Sequence, residues 1–488
     1  MRYLLALDQG TSSTRAMVYD VNGMLLISSQ RTHAQFYPHP GWVEHNPEEL
    51  WQNCLAVIKE VLLQVPVHQI AALGITNQRE TTLIWNKKTG ECLAPAMVWQ
   101  DRRTQDYCCS MQENSALISN KTGLLLDPYF SASKLHWLLE NNSEAQILAQ
   151  RGELAFGTVD SFLIWRLTKG NHFTDITNAS RTMLFNIHEK QWDKELLSLF
   201  DIPESILPEV KACDSFFGNT DKNLFGMEIP ITGVAGDQQA ALIGQGCFNE
   251  GMIKATFGTG GFLLLNTGDQ MVSSTHKLLT TIAYQIQDQT VYGLEGSIYH
   301  AGTSIKWLRD EMKLITHAAE TEQLAESLAS NEGVYFISSF TGLGAPHWLS
   351  TSGATISGLS RTSNRAHFAR AVLEGVAYQT REVLQCMNED SDLQGALLRV
   401  DGGMAKNHWF LQFLADQCQA IVQRPDDIET TAKGAAFLAG LGCGHYGSCR
   451  DIQRLISAAH ELLPTPDEER ISEEYQGWVA ALKQLKRE

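Results

Sequence analysis

The chain has 488 residues, 43% of them hydrophobic, and a formal charge of −17. That length predicts two or three domains with well-filled cores, and no low-complexity tract interrupts them. The acidic balance argues against nucleic acid or an anionic membrane as partner, and no apolar stretch reaches the roughly 18 residues that cross a bilayer.

In chain order, the first predicted elements are a strand at Tyr3–Leu7, a turn through Asp8-Gln9-Gly10-Thr11-Ser12-Ser13-Thr14, and a strand at Arg15–Tyr19. The short apolar run before Asp8 is too brief for a signal peptide. Asn22-Gly23 turns the chain into a further strand, Met24–Ser28. His33, His39 and His45 recur at six-residue spacing. No metal-ligand pattern has that form, so surface or capping roles are expected. Pro47–Leu63 has helical periodicity, with Leu50, Trp51, Leu55, Ile58, Val61 and Leu62 on one face. A short apolar strand, Ile70–Ile75, then delivers the polar cluster Thr76-Asn77-Gln78-Arg79-Glu80.

A second cycle begins with the strand Ile229–Ala235, which ends at Gly236. Asp237 then opens the helix Gln238–Gly244. Strands alternating with helices predict an α/β fold. The domain boundary is expected near 245–250, giving domains 1–247 and 248–488. Beyond it, Ala255-Thr256-Phe257-Gly258-Thr259-Gly260-Gly261-Phe262 forms a second glycine- and threonine-rich turn. The strand Leu397–Val400 leads through Asp401-Gly402-Gly403 to a helix at Asn407–Ala420. Ten cysteines without a CxxC pair read as free thiols in a reducing cytoplasm.

The two turns carry the chemistry. Glycine lets backbone N–H groups approach a phosphate, and Thr and Ser add hydroxyl donors. Two such hairpins far apart in sequence suggest two lobes closing on one nucleotide. No Gly-Lys dipeptide occurs, so the P-loop is absent, and no HRD or DFG triplet marks a protein kinase. Asp8 suits either a local Asx turn or a Mg²⁺ beside a transferring phosphoryl group. Arg15 could neutralise charge there. Asp237 reads either as a helix N-cap or as a general base for an attacking alcohol. Arg79-Glu80 is either a surface ion pair or a donor–acceptor pair for adjacent hydroxyls.

Dispersed stretches then carry a resemblance to the FGGY carbohydrate kinases over nearly the whole chain. They include Leu7–Thr11, Gly41-Trp42-Val43-Glu44-His45, Gly74–Thr82, Asp127–Ser131, Gly236–Ala240, Trp307–Met312 and Phe340–Pro346. Two further signatures surround Lys134 with Trp137, and Gly358 with His367. The resemblance implies two actin-like, ribonuclease-H-like lobes with ATP and Mg²⁺ in an interdomain cleft, and phosphorylation of glycerol to sn-glycerol 3-phosphate. It implies that Arg79, Glu80, Tyr129, Asp237 and Gln238 hold glycerol, with Trp99 and Phe262 against its carbon edge. The nucleotide would meet Thr11, Ser12, Ser13, Arg15, Thr259, Gly302, Gly403 and Asn407. Lys306 stands at a further nucleotide position where the family commonly has Gln. Asp237 would be the base, Asp8 the metal ligand, and the protein a homodimer or homotetramer. Glu228 stands where regulated members carry a phosphate-binding Arg, so inhibition by fructose 1,6-bisphosphate is not expected. The alternatives are a kinase for a pentulose or gluconate, or a non-enzymatic actin-like ATP switch.

Overall fold

The apolar run at the start of the chain continues through Asp8 and Gln9 as strand β1 (Tyr3–Gln9), so Asp8 lies within a strand rather than after one. The computed structural model describes residues 2–349, 353–393, 397–456 and 460–485. They form two units: 1–246 with 280–292 and 430–455, and 247–279 with 293–429 and 456–488.

In the first unit, β1 pairs antiparallel with β2 (Ser13–Tyr19), which pairs antiparallel with β3 (Leu25–Thr32). That third strand runs four residues beyond the predicted Ser28, because its pairing with β2 continues to the mouth of the turn, at Ser13 and Thr32. Helix α1 (Pro47–Leu62) is started by Asn46, whose side chain accepts the Glu48 N–H, and by proline in its first turn. Its buried face carries Leu50, Trp51, Ile58 and Val61 of the predicted stripe together with Cys54 and Val57, while Leu55 and Leu62 are half-buried. Strand β4 (Ile70–Asn77) is parallel to β1. After the short helix α2 (Ile176–Ala179) comes β5 (Pro230–Gly236), parallel to β4. The sheet order is Gly218–Asn219, β5, β4, β1, β2, β3. Leu5, Leu7, Ala16, Val18, Leu73, Ile75 and Val234 fill the core beneath it.

Helix α3 (Asp237–Gly244) leaves the end of β5 and crosses the helix Thr430–Gly442 at backbone contact distance. A Cβ on Gly244 would sit 1.9 Å from the Thr430 carbonyl oxygen, and one on Gly434 would sit 1.8 Å from that of Ala240. Only glycine permits this crossing, which fixes the direction in which α3 presents its first residue.

The second unit repeats the strand plan. Strands β6 (Met252–Phe257) and β7 (Gly261–Asn266) form an antiparallel hairpin. β7 pairs antiparallel with Gln289–Ile298, and β6 pairs parallel with Leu397–Asp401. The sheet order within this unit is Gln289–Ile298 (through its 293–298 part), β7, β6, Leu397–Asp401, Ile421–Arg424, His460–Leu462. Helix α4 (Gly302–Asp310), the long helix Arg365–Ser391 and helix α5 (His408–Cys418) belong to this unit, with Ile253, Leu263, Val376, Tyr378, Phe410 and Trp478 in its core. In each unit, therefore, a hairpin's first strand is extended by a parallel strand on its other side.

Among the described residues all ten cysteines are free, and no helix is long and apolar enough to cross a membrane.

Candidate active site

The first glycine turn is the β1–β2 hairpin. Gly10 N–H donates to the Ser13 carbonyl at 3.0 Å, closing the turn, while Asp8 faces Arg15 across the ladder. Thr11 is half-buried and Ser12 exposed at its tip. The Thr11 carbonyl lies 2.9 Å from His33 Nε2, and its Oγ1 accepts from Trp99 Nε1 at 2.9 Å. Gln78, just past β4, donates through Nε2 to Gln9 Oε1 at 3.1 Å and accepts from Thr81 Oγ1 at 2.8 Å. These bonds tie the turn to the polar cluster at the end of β4.

That cluster forms the charged part of the site. Arg79 and Glu80 side chains are each only 2% exposed, so the dipeptide is not a surface pair. Arg79 Nε lies 3.3 Å from Asp237 Oδ1 and 3.6 Å from Glu80 Oε1. The far end of the same guanidinium reaches Gln239 Oε1 at 3.4 Å and Tyr129 Oη at 3.5 Å. Trp99 and Tyr129 pack edge to face, with centroids 5.5 Å apart. Tyr129 N–H donates to Asp127 Oδ1 at 2.8 Å, and Asp127 takes Arg102 Nη1 at 2.6 Å. Buried Lys134 donates to the carbonyls of Pro128 and Tyr129 at 2.7 Å and of Phe130 at 3.1 Å, clamping the turn that carries Tyr129. Burial lowers the Lys134 ammonium to about 8 against the pull of Glu80, Asp101 and Asp127.

Asp237 is the first residue of α3 rather than its cap. Gly236 takes the cap position with extended backbone, and Asp237 Oδ1 accepts the Gln238 N–H at 2.8 Å. The helix begins one residue earlier than predicted because a glycine with that backbone can precede the first turn. Gly236 also has a steric role, since a Cβ there would meet Arg79 Cγ at 2.6 Å. Its N–H donates to Thr177 Oγ1 at 2.9 Å, and Thr177 Oγ1 donates to buried Asp175 at 2.7 Å. Asp237 keeps 29% of its side chain exposed, so it is the accessible carboxylate of the cluster. Gln238 beside it is 7% exposed.

Arg79, Glu80, Trp99, Tyr129, Asp237 and Gln238 thus lie in the first unit with Thr11, Ser12, Ser13, Arg15 and Asp8. Of these, the hydrogen bonds and contacts above bring together Arg79, Glu80, Tyr129 and Asp237, and link Trp99 to Thr11. Sequence reasoning missed Arg181, whose Nε lies 2.8 Å from Glu80 Oε1, and the Asp175–Thr177 support. The run Thr177–Thr182 is polar and short, and gives no periodic signal of its burial.

In the second unit, the β6–β7 hairpin carries exposed Thr259, and Phe262 stands opposite Thr256 in the ladder. The Thr259 carbonyl accepts from the N–H groups of Ala301 and Thr303 at 3.1 Å, packing the start of α4 on the turn. Gly302 sits there because a Cβ would lie 2.4 Å from the Gly258 carbonyl oxygen. Lys306 is exposed one turn along α4. Gly403 opens a short 3₁₀ turn with no atom within 4 Å of an added Cβ. Asn407 caps α5, so that helix starts at His408 and ends at Cys418, inside the predicted bounds. Its Oδ1 takes the Phe410 N–H at 2.8 Å and its Nδ2 donates to Thr321 Oγ1 at 3.2 Å.

Of the three histidines, His39 is exposed as expected, and His45 departs from expectation. His33 and His45 pack edge to face at 4.8 Å, and His45 is wholly buried, not a surface residue. Burial lowers His45 to about 4. The described residues contain no cluster of three or more His, Cys, Asp or Glu able to hold a metal. Glu228 is exposed and accepts from Asn219 Nδ2 at 3.2 Å.

Comparison with known proteins identifies the family. The chain is 52% identical to glycerol kinase of Gluconobacter oxydans, over 98% of this chain and 94% of that one. It is 50% identical to that of Ectopseudomonas mendocina, over 100% and 99%. The crystal structure of Plasmodium falciparum glycerol kinase with ADP superposes with a TM-score of 0.93 at 38% identity, covering 99% of this chain and 98% of that one. Residues 3–244 match the N-terminal domain of one kinase family and 253–443 its C-terminal domain. The chain belongs to the FGGY family of carbohydrate kinases, with its two actin-like lobes.

Proposed function

We propose that this chain transfers the γ-phosphoryl group of ATP to a terminal hydroxyl of glycerol, giving sn-glycerol 3-phosphate and ADP. One observation carries the reading: Arg79, Glu80 and Tyr129 converge with the accessible Asp237 in a cluster that offers both donors and acceptors to adjacent hydroxyls. A site built this way rejects analogues that lack a hydroxyl, since its buried polar groups would be left unpaired.

Arg79 donates to the polyol while Glu80 accepts, and Trp99 covers the carbon edge. Asp237 accepts the proton of the attacking hydroxyl as its oxygen bonds to the γ-phosphorus. The bond from that phosphorus to the bridging oxygen breaks, and ADP carries the electron pair away. Arg15 and the N–H groups of the first turn meet phosphate oxygens, and Thr259, Gly302, Lys306, Gly403 and Asn407 of the second unit meet the nucleotide.

Asp8 fits a Mg²⁺ that arrives with the nucleotide. It is a half-buried carboxylate near the end of β1, close in the chain to the hydroxyls of the first turn, and Mg²⁺ bound to ATP needs only one or two protein carboxylates beside phosphates and water. Held there, the ion would neutralise charge on the transferring group. The same reading includes a cytoplasmic homodimer or homotetramer and lobes 1–247 and 248–488, apart from segments 280–292 and 430–455, which pack with the first unit; light scattering and limited proteolysis would check it.

The test is ADP release with ATP and Mg²⁺ against glycerol, glyceraldehyde, xylulose, ribulose and gluconate in parallel. Turnover of glycerol well above the rest is expected. Product from a pentulose or gluconate but not glycerol would overturn the assignment.

A further inference from the structure

Arg181 is a charged group buried beside the Arg79–Glu80 cluster. Its side chain is wholly buried, and Nε donates to Glu80 Oε1 at 2.8 Å. Its guanidinium lies over the Phe130 ring at 5.4 Å and the Tyr129 ring at 5.9 Å. The backbone holds it as firmly, for Arg181 N–H donates to the Asn178 carbonyl just after α2. That same α2 segment carries Thr177, whose hydroxyl takes the Gly236 N–H. One short stretch of chain therefore touches both acidic residues of the site, Glu80 through a side chain and Asp237 through the residue before it.

We propose that Arg181 is a positioning residue for the polyol site, fixing the Glu80 carboxylate in the direction from which it accepts a substrate hydroxyl. The inference rests on the polyol-kinase reading above. Glu80 faces three cations: Arg79 Nε at 3.6 Å, Arg181 Nε at 2.8 Å, and the Lys134 ammonium of the helix Ser131–Glu140, which is itself bound to three backbone carbonyls. The 2.8 Å bond from Arg181 fixes the direction of Glu80 Oε1. Without Arg181, Glu80 would lose the bond that selects its rotamer. Its remaining acceptor would then meet the polyol from a range of directions instead of one. A guanidinium is suited to this because its donors are fixed in a plane and it carries charge at any working pH.

The experiment compares wild type, Arg181→Met and Arg181→Lys as full-length proteins on whichever polyol the wild type phosphorylates, with kcat and KM measured for the polyol and for ATP. Wild-type turnover of the substrate panel tests the function by itself, so a failure there is distinct from a failure here. Arg181→Met should lower kcat/KM for the polyol by about 10²-fold, as expected when one member of a buried charge pair is removed. The KM for ATP should stay within about twofold. Arg181→Lys, which keeps the charge and loses the planar fork, should recover only part of kcat/KM. Losses shared equally with ATP in Arg181→Met would overturn the proposal. Should Arg181→Met fail to fold, Arg181→Lys decides: a raised polyol KM with ATP unaffected is expected, and an unchanged polyol KM refutes it.

Discussion

Trp99 Nε1 donates a hydrogen bond to Thr11 Oγ1 at 2.9 Å, joining the indole that packs on Tyr129 to the tip of the first glycine turn. The indole is held from its backbone side as well, because Trp99 N–H donates to Thr81 Oγ1 at 3.3 Å and that hydroxyl donates to Gln78. A threonine hydroxyl has one donor and two acceptor sites, so Thr11 can take the indole N–H and still donate to a phosphate oxygen. The turn and the aromatic wall therefore move as one piece.

Thr11→Val should consequently weaken both substrates. Losing the hydroxyl strands the Trp99 N–H, and a lost hydrogen bond of this kind costs about 1 kcal/mol, or roughly fivefold in KM for glycerol, with a similar rise for ATP. Thr11→Ser should recover both. Steady-state kinetics with each substrate varied in turn measures this, and a change confined to ATP would show that the bond to Trp99 has no influence on the polyol.

Replacing Asp237 with Asn should lower turnover by roughly 10²–10⁴-fold, because it removes the base and keeps the shape. The asparagine oxygen can still accept the Gln238 N–H, and Gly236 remains the cap, so thermal stability should hardly change. Rapid-quench measurement of the chemical step alongside a melting curve separates the two effects. Unchanged turnover would assign the base to another group.

Gly236 is expected to be intolerant of alanine for a steric reason only. Its backbone is extended, with φ −60°, so strain is not the issue. The added methyl would press on Arg79 Cγ at 2.6 Å and Cδ at 2.8 Å, and the displaced guanidinium would lose its approach to Asp237. Gly236→Ala should raise the KM for glycerol by about tenfold or more, as misplacement of a positioning group does. Isothermal titration with glycerol would read the same loss without turnover, and wild-type affinity would contradict the steric account.

Much of this was legible in the sequence because it is local. The hairpin at Gly10, the strand that delivers Arg79 and Glu80, and the Gly236–Asp237 junction each follow from runs of adjacent residues. The reach of Arg181 to Glu80 spans 101 positions and lies in a polar stretch with no period, so nothing local announces it. The same holds for Thr177 beneath Gly236 and for Gly434 against α3. Pairing partners also set strand length: β3 extends to Thr32 because β2 offers it a ladder to the end, a fact of neither strand alone. His45 was misread for the opposite reason, since its spacing looks like surface punctuation while the fold covers it completely.

The buried carboxylates near α2 give a pH signature independent of activity. Asp160 is pushed up to about 7, chiefly by burial and then by Asp175, against the donors Thr158 and Thr174 that favour its charged form. In the unfolded chain it has the ordinary carboxylate value, near 4. Between about 4 and about 7 the folded protein therefore holds a proton that the unfolded chain has lost, so this group's contribution is fully present at the acid end and declines as pH rises. Glu374, also pushed up to about 7, acts in the same direction, whereas His45 and His172, lowered to about 4, act in the opposite one. Asp160→Asn removes the titrating group and leaves the others in place. Its melting temperature relative to wild type should be lowest at the acid end and should gain steadily as pH is raised to about 7, then level off. Differential scanning calorimetry of both proteins across that range measures the gap, and a gap independent of pH would mean that Asp160 is ionised in the fold.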